Sequence, residues 1–90
     1  MEIIFSKRFR KQSQKLIQSR KNFEAKLIDC IRDFAIHVRQ SRYYRKKLSG
    51  NYRGYEELQI GGDIRIIIAI RIEKNQTVFE QIGTHAELDL

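Results

Sequence analysis

The amino-acid sequence predicts an α+β fold in which two N-terminal helices pack on a small, mostly antiparallel sheet, in the order β-α-α-β-β-β. Three observations carry this prediction: a strongly β-forming stretch after the middle of the chain, two helix-like stretches before it, and a hairpin turn on each side of it. Ninety residues allow one hydrophobic core and little else. We therefore expect residues 1–90 to form a single domain.

The strongest element is the stretch DIRIIIAIRI, from Asp63 to Ile72. Isoleucine at every second position places one set of apolar side chains on one face of a strand. The middle of the other face is also apolar, and a strand buried on both faces belongs inside a sheet rather than at its edge. The first face carries Ile64, Ile66, Ile68, Ile70 and Ile72, and the second carries Arg65, Ile67, Ala69 and Arg71.

The elements before this strand begin with a short strand, Glu2 to Phe5. Ser6 is the predicted N-cap of a first helix that starts at Lys7, because its hydroxyl can accept from amides of the first turn. Gln18 to Asn22 is read as a turn, and a second helix is predicted from Phe23 to Val38. The second helix is expected to pack on the sheet through an apolar stripe of Phe23, Leu27, Ile28, Ile31, Phe34 and Ala35.

The strands on either side of the central one are predicted from Tyr52 to Ile60 and from Thr77 to Ile82. A tight turn at Gly61 and Gly62 joins the first of these to the central strand, because glycine adopts positive φ without steric cost. Glu73 to Gln76 forms the second hairpin. The return strand is expected to place Val78 and Ile82 on one face and Phe79 on the other.

The composition points to a polyanionic partner. The chain has 18 Lys and Arg against 11 Asp and Glu, a net charge of +7, which favours nucleic acid although solubility alone would also explain it. Cys30 is the only cysteine, which excludes an internal disulfide and a Cys-rich metal site, and it is expected to be a buried thiol. The chain has no signal peptide and no apolar run long enough for a membrane span, so we predict a cytoplasmic protein without a membrane partner.

A basic segment with two tyrosines, RQSRYYRKKLSGN, runs from Arg39 to Asn51 without a hydrophobic period. Cations that meet phosphates and rings that stack on bases suit an RNA strand. The alternative is a basic loop in which Tyr43 or Tyr44 fills a gap in the core. The first helix also carries a basic face, which is either solvated or contacts phosphates.

A candidate site lies at one end of the predicted sheet. His85 follows Gly83 and Thr84 directly after a strand, and antiparallel pairing would bring Gln59, Asp63, Arg65 and His85 near the same end. A carboxylate, an arginine and a histidine suit phosphodiester cleavage by an internal 2′-hydroxyl, which requires no metal. On spacing alone, a turn histidine beside an Asp63–Arg65 salt bridge is favoured. No metal-site or cofactor motif is present, so neither is expected.

Three short motifs then identify a resemblance: LSG-x-x-x-GY from Leu48 to Tyr55, GD-x-R from Gly62 to Arg65, and GTH from Gly83 to His85. In this order and spacing they resemble the RelE/ParE superfamily of bacterial type II toxins, and most of all its YafQ-like branch. The resemblance implies a RelE-like fold and a ribosome-dependent mRNA endonuclease that cuts in the ribosomal A site. It also implies a cognate antitoxin protein as a partner, besides mRNA and ribosomal RNA.

The resemblance places the proton-transferring histidine of the family on His85, its strand-start acid on Asp63 and its arginine on Arg65. Two histidines often found in YafQ-like members are replaced by Gln59 and Lys46, and Asp89 stands near the usual C-terminal aromatic. Because glutamine cannot act as a base, the base is either Asp63 or His85, and Lys46, Lys47 or Arg65 supplies charge. RNA binding is assigned to Tyr44, Arg45, Lys46, Lys47, Arg53, Gln59 and Gln81.

Three classes of function follow. The first is the ribosome-dependent mRNA endonuclease with His85, Asp63 and Arg65 as catalytic residues. The second is a ParE-like toxin that inhibits gyrase without nuclease chemistry, so that replacing His85 would leave it toxic. The third is a toxin homologue that binds RNA or the ribosome with weakened or lost catalysis, which the replacements at Gln59 and Asp89 suggest.

Overall fold

A computed structural model describes residues 1–37 and 43–90 of the chain, except for the side chain of Tyr44. The predicted α+β class is confirmed, with one strand more than expected. Val38 and the start of the predicted basic segment, residues 39–42, lie outside the described residues. The elements are β1 (Glu2–Phe5), α1 (Lys7–Ser19), α2 (Phe23–Ile36), β2 (Tyr44–Lys47), β3 (Glu56–Gly61), β4 (Ile64–Arg71) and β5 (Gln76–Thr84), with 3-10 turns at Gly50–Tyr52 and Ile72–Lys74.

The sheet has five strands in the order β1-β5-β4-β3-β2. The strand β1 runs parallel to β5, and the other neighbours are antiparallel. The prediction that β4 is central is therefore confirmed, and Ile66, Ile67 and Ile68 have no exposed surface because β4 is covered on both faces. Ile72 lies beyond the strand in a 3-10 turn and is 85% exposed. The predicted apolar face therefore ends at Ile70.

The strand β5 contains a bulge that the sequence did not reveal. Ile67 lies opposite Gln81 while the next residue, Ile68, lies opposite Phe79, so Glu80 has no partner on β4. An extra residue reverses the alternation of side chains beyond it. The prediction that Val78 shares a face with Ile82 was therefore wrong, because Phe79 and Ile82 are the pair that enters the main core.

The additional strand, β2, lies within the segment predicted to be a basic loop. It pairs antiparallel with β3 and places Lys46 opposite Glu57 and Lys47 opposite Glu56. Cross-strand pairs of opposite charge stabilise a sheet edge without any hydrophobic period. The strand predicted from Tyr52 begins only at Glu56, because Gly50–Tyr52 forms a 3-10 turn first.

The helices cover one face of the sheet. Phe34 of α2 and Phe9 of α1 both meet Phe79 edge to face, with ring centroids 5.5 and 5.6 Å apart. Cys30 is fully buried in this core, as predicted, and burial raises the pKa of its thiol to about 12. Ile28 is half exposed and Ala35 is exposed, so the part of α2 that contacts the sheet is narrower than the predicted stripe.

Polar side chains of the first helical region close the free edge of β5. The short strand β1 pairs only as far as Phe79. Beyond that point, the Ser6 hydroxyl donates to the carbonyl of Glu80 at 2.6 Å, and the Gln12 side-chain oxygen accepts from the amide of Ile82 at 2.9 Å. Ser6 also accepts from the Phe9 amide at 2.9 Å, which confirms the predicted N-cap. Main-chain groups at a sheet edge require such partners when they are buried.

None of the helices in the described residues is long and apolar enough to cross a membrane.

Candidate active site

The face of the sheet opposite the helices carries two rows of side chains across neighbouring strands. Alternation along each strand follows from the pleat, so residues paired across strands share a face. One row is Lys46, Glu57, Ile67 and Gln81, and the next row toward the hairpin is Tyr44, Gln59, Arg65 and Gly83. We call this surface the open face.

Glu57 lies at the centre of the open face, and its side chain is only 1% exposed. One carboxylate oxygen, Oε1, lies 3.7 Å from Lys46 Nζ and 3.9 Å from Arg65 Nε. The other oxygen, Oε2, is buried and has no hydrogen-bond partner in the described residues. A buried carboxylate with an unused oxygen between two cations is unusual, because burial without hydrogen bonds is costly. Among the described residues, the hydrogen-bonding capacity of Oε2 is therefore unused.

Glu57 is a site residue that was not predicted from the sequence. Two adjacent acids, Glu56 and Glu57, interrupt an apolar strand, and the pleat sends one to each face. Glu56 pairs with Arg45 at 3.2 Å on the helix side. Glu57 therefore lies on the open face. The two adjacent acids in an apolar strand were the sequence signal that could have predicted this carboxylate.

Arg65 is held by the β3–β4 hairpin. Its Nη1 donates to the carbonyl of Gly62 at 3.0 Å and to its neighbour Ile64 at 3.2 Å. Its side chain is 14% exposed, and in the described part of the chain its ion pair is with Glu57 rather than with Asp63. The guanidinium therefore has a fixed position beside the buried carboxylate.

His85 follows β5 and is exposed. Its amide donates to the carbonyl of Asp63 at 2.8 Å, which brings these two predicted site residues to the same sheet end. Asp63 is itself exposed and meets His85 through the main chain. The two residues are therefore close together, as predicted. The contact is made by the main-chain carbonyl of Asp63 and the amide of His85.

A capping box fixes the turn that carries His85. The Thr84 hydroxyl accepts from the amide of Glu87 at 3.0 Å, and the Glu87 carboxylate accepts from the amide of Thr84 at 2.8 Å. The hydrogen bonds from Thr84 lower the pKa of the Glu87 carboxyl, and the cations Arg20 and Lys15 contribute further. His85 therefore belongs to a turn that two hydrogen bonds between Thr84 and Glu87 stabilise.

The residues after His85 form one wall of a cleft. Leu88 is buried against Gly83, where an added Cβ would lie 3.5 Å from its side chain. The Tyr52 hydroxyl donates to the carbonyl of Leu88 at 2.9 Å and ties this wall to the 3-10 turn before β3. The cleft has a volume of about 450 Å³ and is lined by Lys46, Leu48, Ser49, Gly50, Asn51, Tyr52, Glu57, His85, Asp89 and Leu90.

The residues predicted to bind RNA divide between the two faces. Lys46 lines the cleft, and Gln59 and Gln81 lie on the open face beside Arg65 and Ile67. Arg45 lies on the helix side, where its guanidinium is 5.9 Å from the Phe34 ring centroid and pairs with Glu56.

Lys47 shares the helix side with Arg45 by register, since it lies opposite Glu56. Arg53 is exposed just after the 3-10 turn. Tyr44 lies opposite Gln59 by register, and its side chain is outside the described part of the structure. In residues 1–37 and 43–90, no group of three or more His, Cys, Asp or Glu side chains is arranged to hold a metal ion.

Helices on one face of a five-stranded sheet, with a charged cleft on the other, form the fold of the RelE-like toxins. The family model described as "Bacterial toxin of type II toxin-antitoxin system, YafQ" matches residues 1–90. The chain therefore belongs to the YafQ toxin family, and the resemblance read from the three sequence motifs is confirmed.

Solved structures agree with this fold. A metal-bound toxin from Helicobacter pylori is 21% identical with a TM-score of 0.82, and the match covers 98% of each chain. YafQ in the DinJ–YafQ complex of E. coli is 22% identical with a TM-score of 0.79, over 97% of this chain and 96% of that one. A YoeB/ParE toxin from Agrobacterium tumefaciens is 15% identical with a TM-score of 0.80, over 94% and 99%. A comparison with curated proteins gives no match.

Proposed function

We propose that this toxin is a ribosome-dependent mRNA endonuclease. The observation that carries the proposal is the buried Glu57 carboxylate, whose Oε2 has no hydrogen-bond partner in the described residues and which shares a cleft with Lys46 and His85. An unused carboxylate oxygen, a histidine and two cations are the groups that 2′-hydroxyl attack on a phosphodiester requires. Family membership supports the same activity class.

In this mechanism Glu57 is the general base. Its carboxylate, which lines the cleft, takes the proton from the 2′-hydroxyl, and the freed oxygen attacks the adjacent phosphorus. Lys46 and Arg65 lie within 4 Å of the same carboxylate, at 3.7 and 3.9 Å, and neutralise the charge that develops on the phosphorane oxygens. Arg65 is positioned for this role by its bonds to the hairpin carbonyls.

His85 is the general acid. As the bond from phosphorus to the 5′-oxygen breaks, the imidazolium donates its proton to that oxygen. The products are a 2′,3′-cyclic phosphate and a 5′-hydroxyl end, so protons and electrons balance without any further reactant. Asp63 holds the histidine turn through its carbonyl. In this proposal Glu57 acts as the base in place of the two candidates predicted from the sequence, Asp63 and His85.

The partners follow from the surface charge. A net charge of +7 favours contact with ribosomal RNA and with mRNA in the A site. The DinJ–YafQ complex is a toxin bound to its antitoxin. We propose that this chain likewise has a cognate antitoxin, with acidic and apolar segments that compete for Lys46 and the cleft wall.

The test is mRNA cleavage in a translating extract, with the same transcript supplied without ribosomes as a control. We expect cuts that require the ribosome in the wild type and none above background with His85→Ala or Glu57→Gln. Equal cutting of free RNA would contradict the ribosome requirement. Absence of cleavage together with growth arrest that survives His85→Ala would contradict the nuclease and favour the gyrase-inhibiting class.

A further inference from the structure

We infer that a second groove, between the α1–α2 turn and the β3–β4 hairpin, binds phosphate groups of the RNA strand that continues from the cleavage cleft. This inference rests on the proposed function and adds a substrate-binding subsite to it. The groove has a volume of about 450 Å³. Three cations line it, Arg20, Lys21 and Lys26, and we call it the basic groove.

The three cations come from the α1–α2 turn and the first part of α2. Arg20 ends α1 as its C-cap, and Asn22 has a positive φ of 65° that reverses the chain into α2. Lys26 follows one turn into α2, so all three face the same groove. The lining residues include no acid, and in residues 1–37 and 43–90 none of the three cations forms an ion pair. Like charges gathered without an acid favour an anionic ligand.

One of the cations, Lys26, lies against the backbone of the hairpin. A Cβ at Gly61 would overlap the ammonium of Lys26 and lie 2.8 Å from its Cε, so the lysine lies directly across the glycine backbone. The floor of the groove is formed by Phe23, Ile60 and Ile64, which are nearly fully buried. An apolar floor reduces screening by water on one side and strengthens the attraction between the cations and a phosphate.

The β3–β4 hairpin links the basic groove, which it lines, to His85 of the cleavage cleft, which it contacts. Gly62 lines the groove, and its carbonyl accepts from Arg65 of the open face at 3.0 Å. The next residue, Asp63, accepts from the amide of His85. A strand that leaves the cleft past His85 and crosses the hairpin tip therefore enters the groove. Glu87 is an acid near Arg20, and its carboxylate accepts a hydrogen bond from the amide of Thr84.

The experiment measures RNA binding by the full chain carrying His85→Ala, so that the RNA is not cut. Fluorescence anisotropy compares a trinucleotide with RNAs lengthened on the 5′ or the 3′ side, over a series of salt concentrations. Two charge-matched variants are made in this background. Arg20→Gln with Lys26→Gln removes two groove cations, and Arg71→Gln with Lys74→Gln removes two exposed cations at the opposite end of the sheet.

We expect lengthening on one side to increase the affinity of the parent and of the Arg71/Lys74 variant. The groove variant should lose that gain, keep its trinucleotide affinity, and show a salt slope smaller by about 1.4, because each lost phosphate contact on a single strand contributes about 0.7. Three results would each contradict phosphate binding in the basic groove. They are an equal loss of the affinity gain in the two variants, an equal loss of affinity for the trinucleotide, and no gain in affinity when the RNA is lengthened. A normal gain in the binding experiment, together with a wild-type chain that cuts nothing in the translating extract, would instead overturn the proposed function.

Discussion

Glu57 is the residue on which the proposed chemistry depends most. Glu57→Gln keeps the shape of the side chain and removes both its charge and its basicity. We expect ribosome-dependent cleavage to fall by about 10²- to 10⁴-fold, the usual contribution of a general base. RNA binding should hold or tighten, because a negative charge is removed between Lys46 and Arg65, its two ion-pair partners. Single-turnover cleavage on programmed ribosomes separates the two effects.

Asp63→Asn is the matched control for Glu57→Gln. It removes a carboxylate while keeping the main-chain carbonyl that accepts from His85. We expect a change of a fewfold at most. A larger loss with Asp63→Asn than with Glu57→Gln would restore Asp63 as the base. Circular dichroism melting of both variants shows whether the burial of Glu57 adds a stability effect.

Residue-level prediction from the sequence succeeded where it followed from the pairing of strands that the sequence indicates. His85 and Asp63 were placed together because antiparallel pairing brings them to one end of the sheet, and their main chains are bonded. Glu57 was missed because its position depends on which face of β3 it takes. Glu56 takes the helix side, where it pairs with Arg45 of β2, a strand that the sequence did not indicate.

The turn from Thr84 to Glu87 is an element whose hydrogen bonds depend on pH. The pKa of Glu87 is lowered in the folded chain by its hydrogen bonds with Thr84. Because the folded pKa is lowered, the Glu87 carboxylate stabilises the turn at pH values above its ordinary pKa of 4.5. This contribution is lost as the pH falls through the folded pKa. We expect the hydrogen-exchange protection factor of the Thr84 amide to drop over that acidic range.

Glu87→Gln serves as the comparison for this turn. Its amide oxygen can still accept from Thr84, but it does not titrate, so the acid-dependent drop in protection should disappear. A drop of the same size in Glu87→Gln would show that general acid unfolding, rather than the capping box, causes the effect. The far-UV circular dichroism signal over the same pH range supplies that baseline.

The elements of the sheet show why pattern reading reached some strands and not others. The strand β4 is buried on both faces, and its period of two marks it without ambiguity. The strand β2 is a cationic edge that is stabilised by Glu56 and Glu57 of its neighbour, so its own sequence carries no apolar signal. The bulge at Glu80 places Val78 on the face opposite to the predicted one. The bulge was not predicted because an inserted residue leaves no mark in a strand of mixed side chains.

The single cysteine reports on the cooperativity of the whole molecule. Cys30 is fully buried in the core, and burial raises the pKa of its thiol to about 12. The thiolate is the species that reacts, so we expect a thiol reagent at pH 8 to label the native protein only as fast as it unfolds globally. Labelling rates that match denaturant-dependent unfolding rates would confirm this. Fast labelling in the absence of denaturant would contradict it.

The charge of the whole molecule should separate binding from chemistry. Contacts between exposed cations and phosphates are screened by salt, whereas the ion pairs of Glu57 with Lys46 and Arg65 are buried or partly buried and are screened much less. Raising potassium from about 50 to about 200 mM at constant magnesium should therefore raise KM for ribosome-dependent cleavage by at least an order of magnitude.

The same salt change should alter kcat by less than about twofold, because the catalytic groups keep their arrangement once the substrate is bound. A translation assay with a non-toxic reporter at each salt concentration measures the effect of salt on the ribosomes themselves. If kcat fell in parallel with the affinity, the groups that carry the chemistry would have to be cations exposed to solvent and screened by salt. The roles given to Glu57 and Arg65 would then pass to residues outside the cleft.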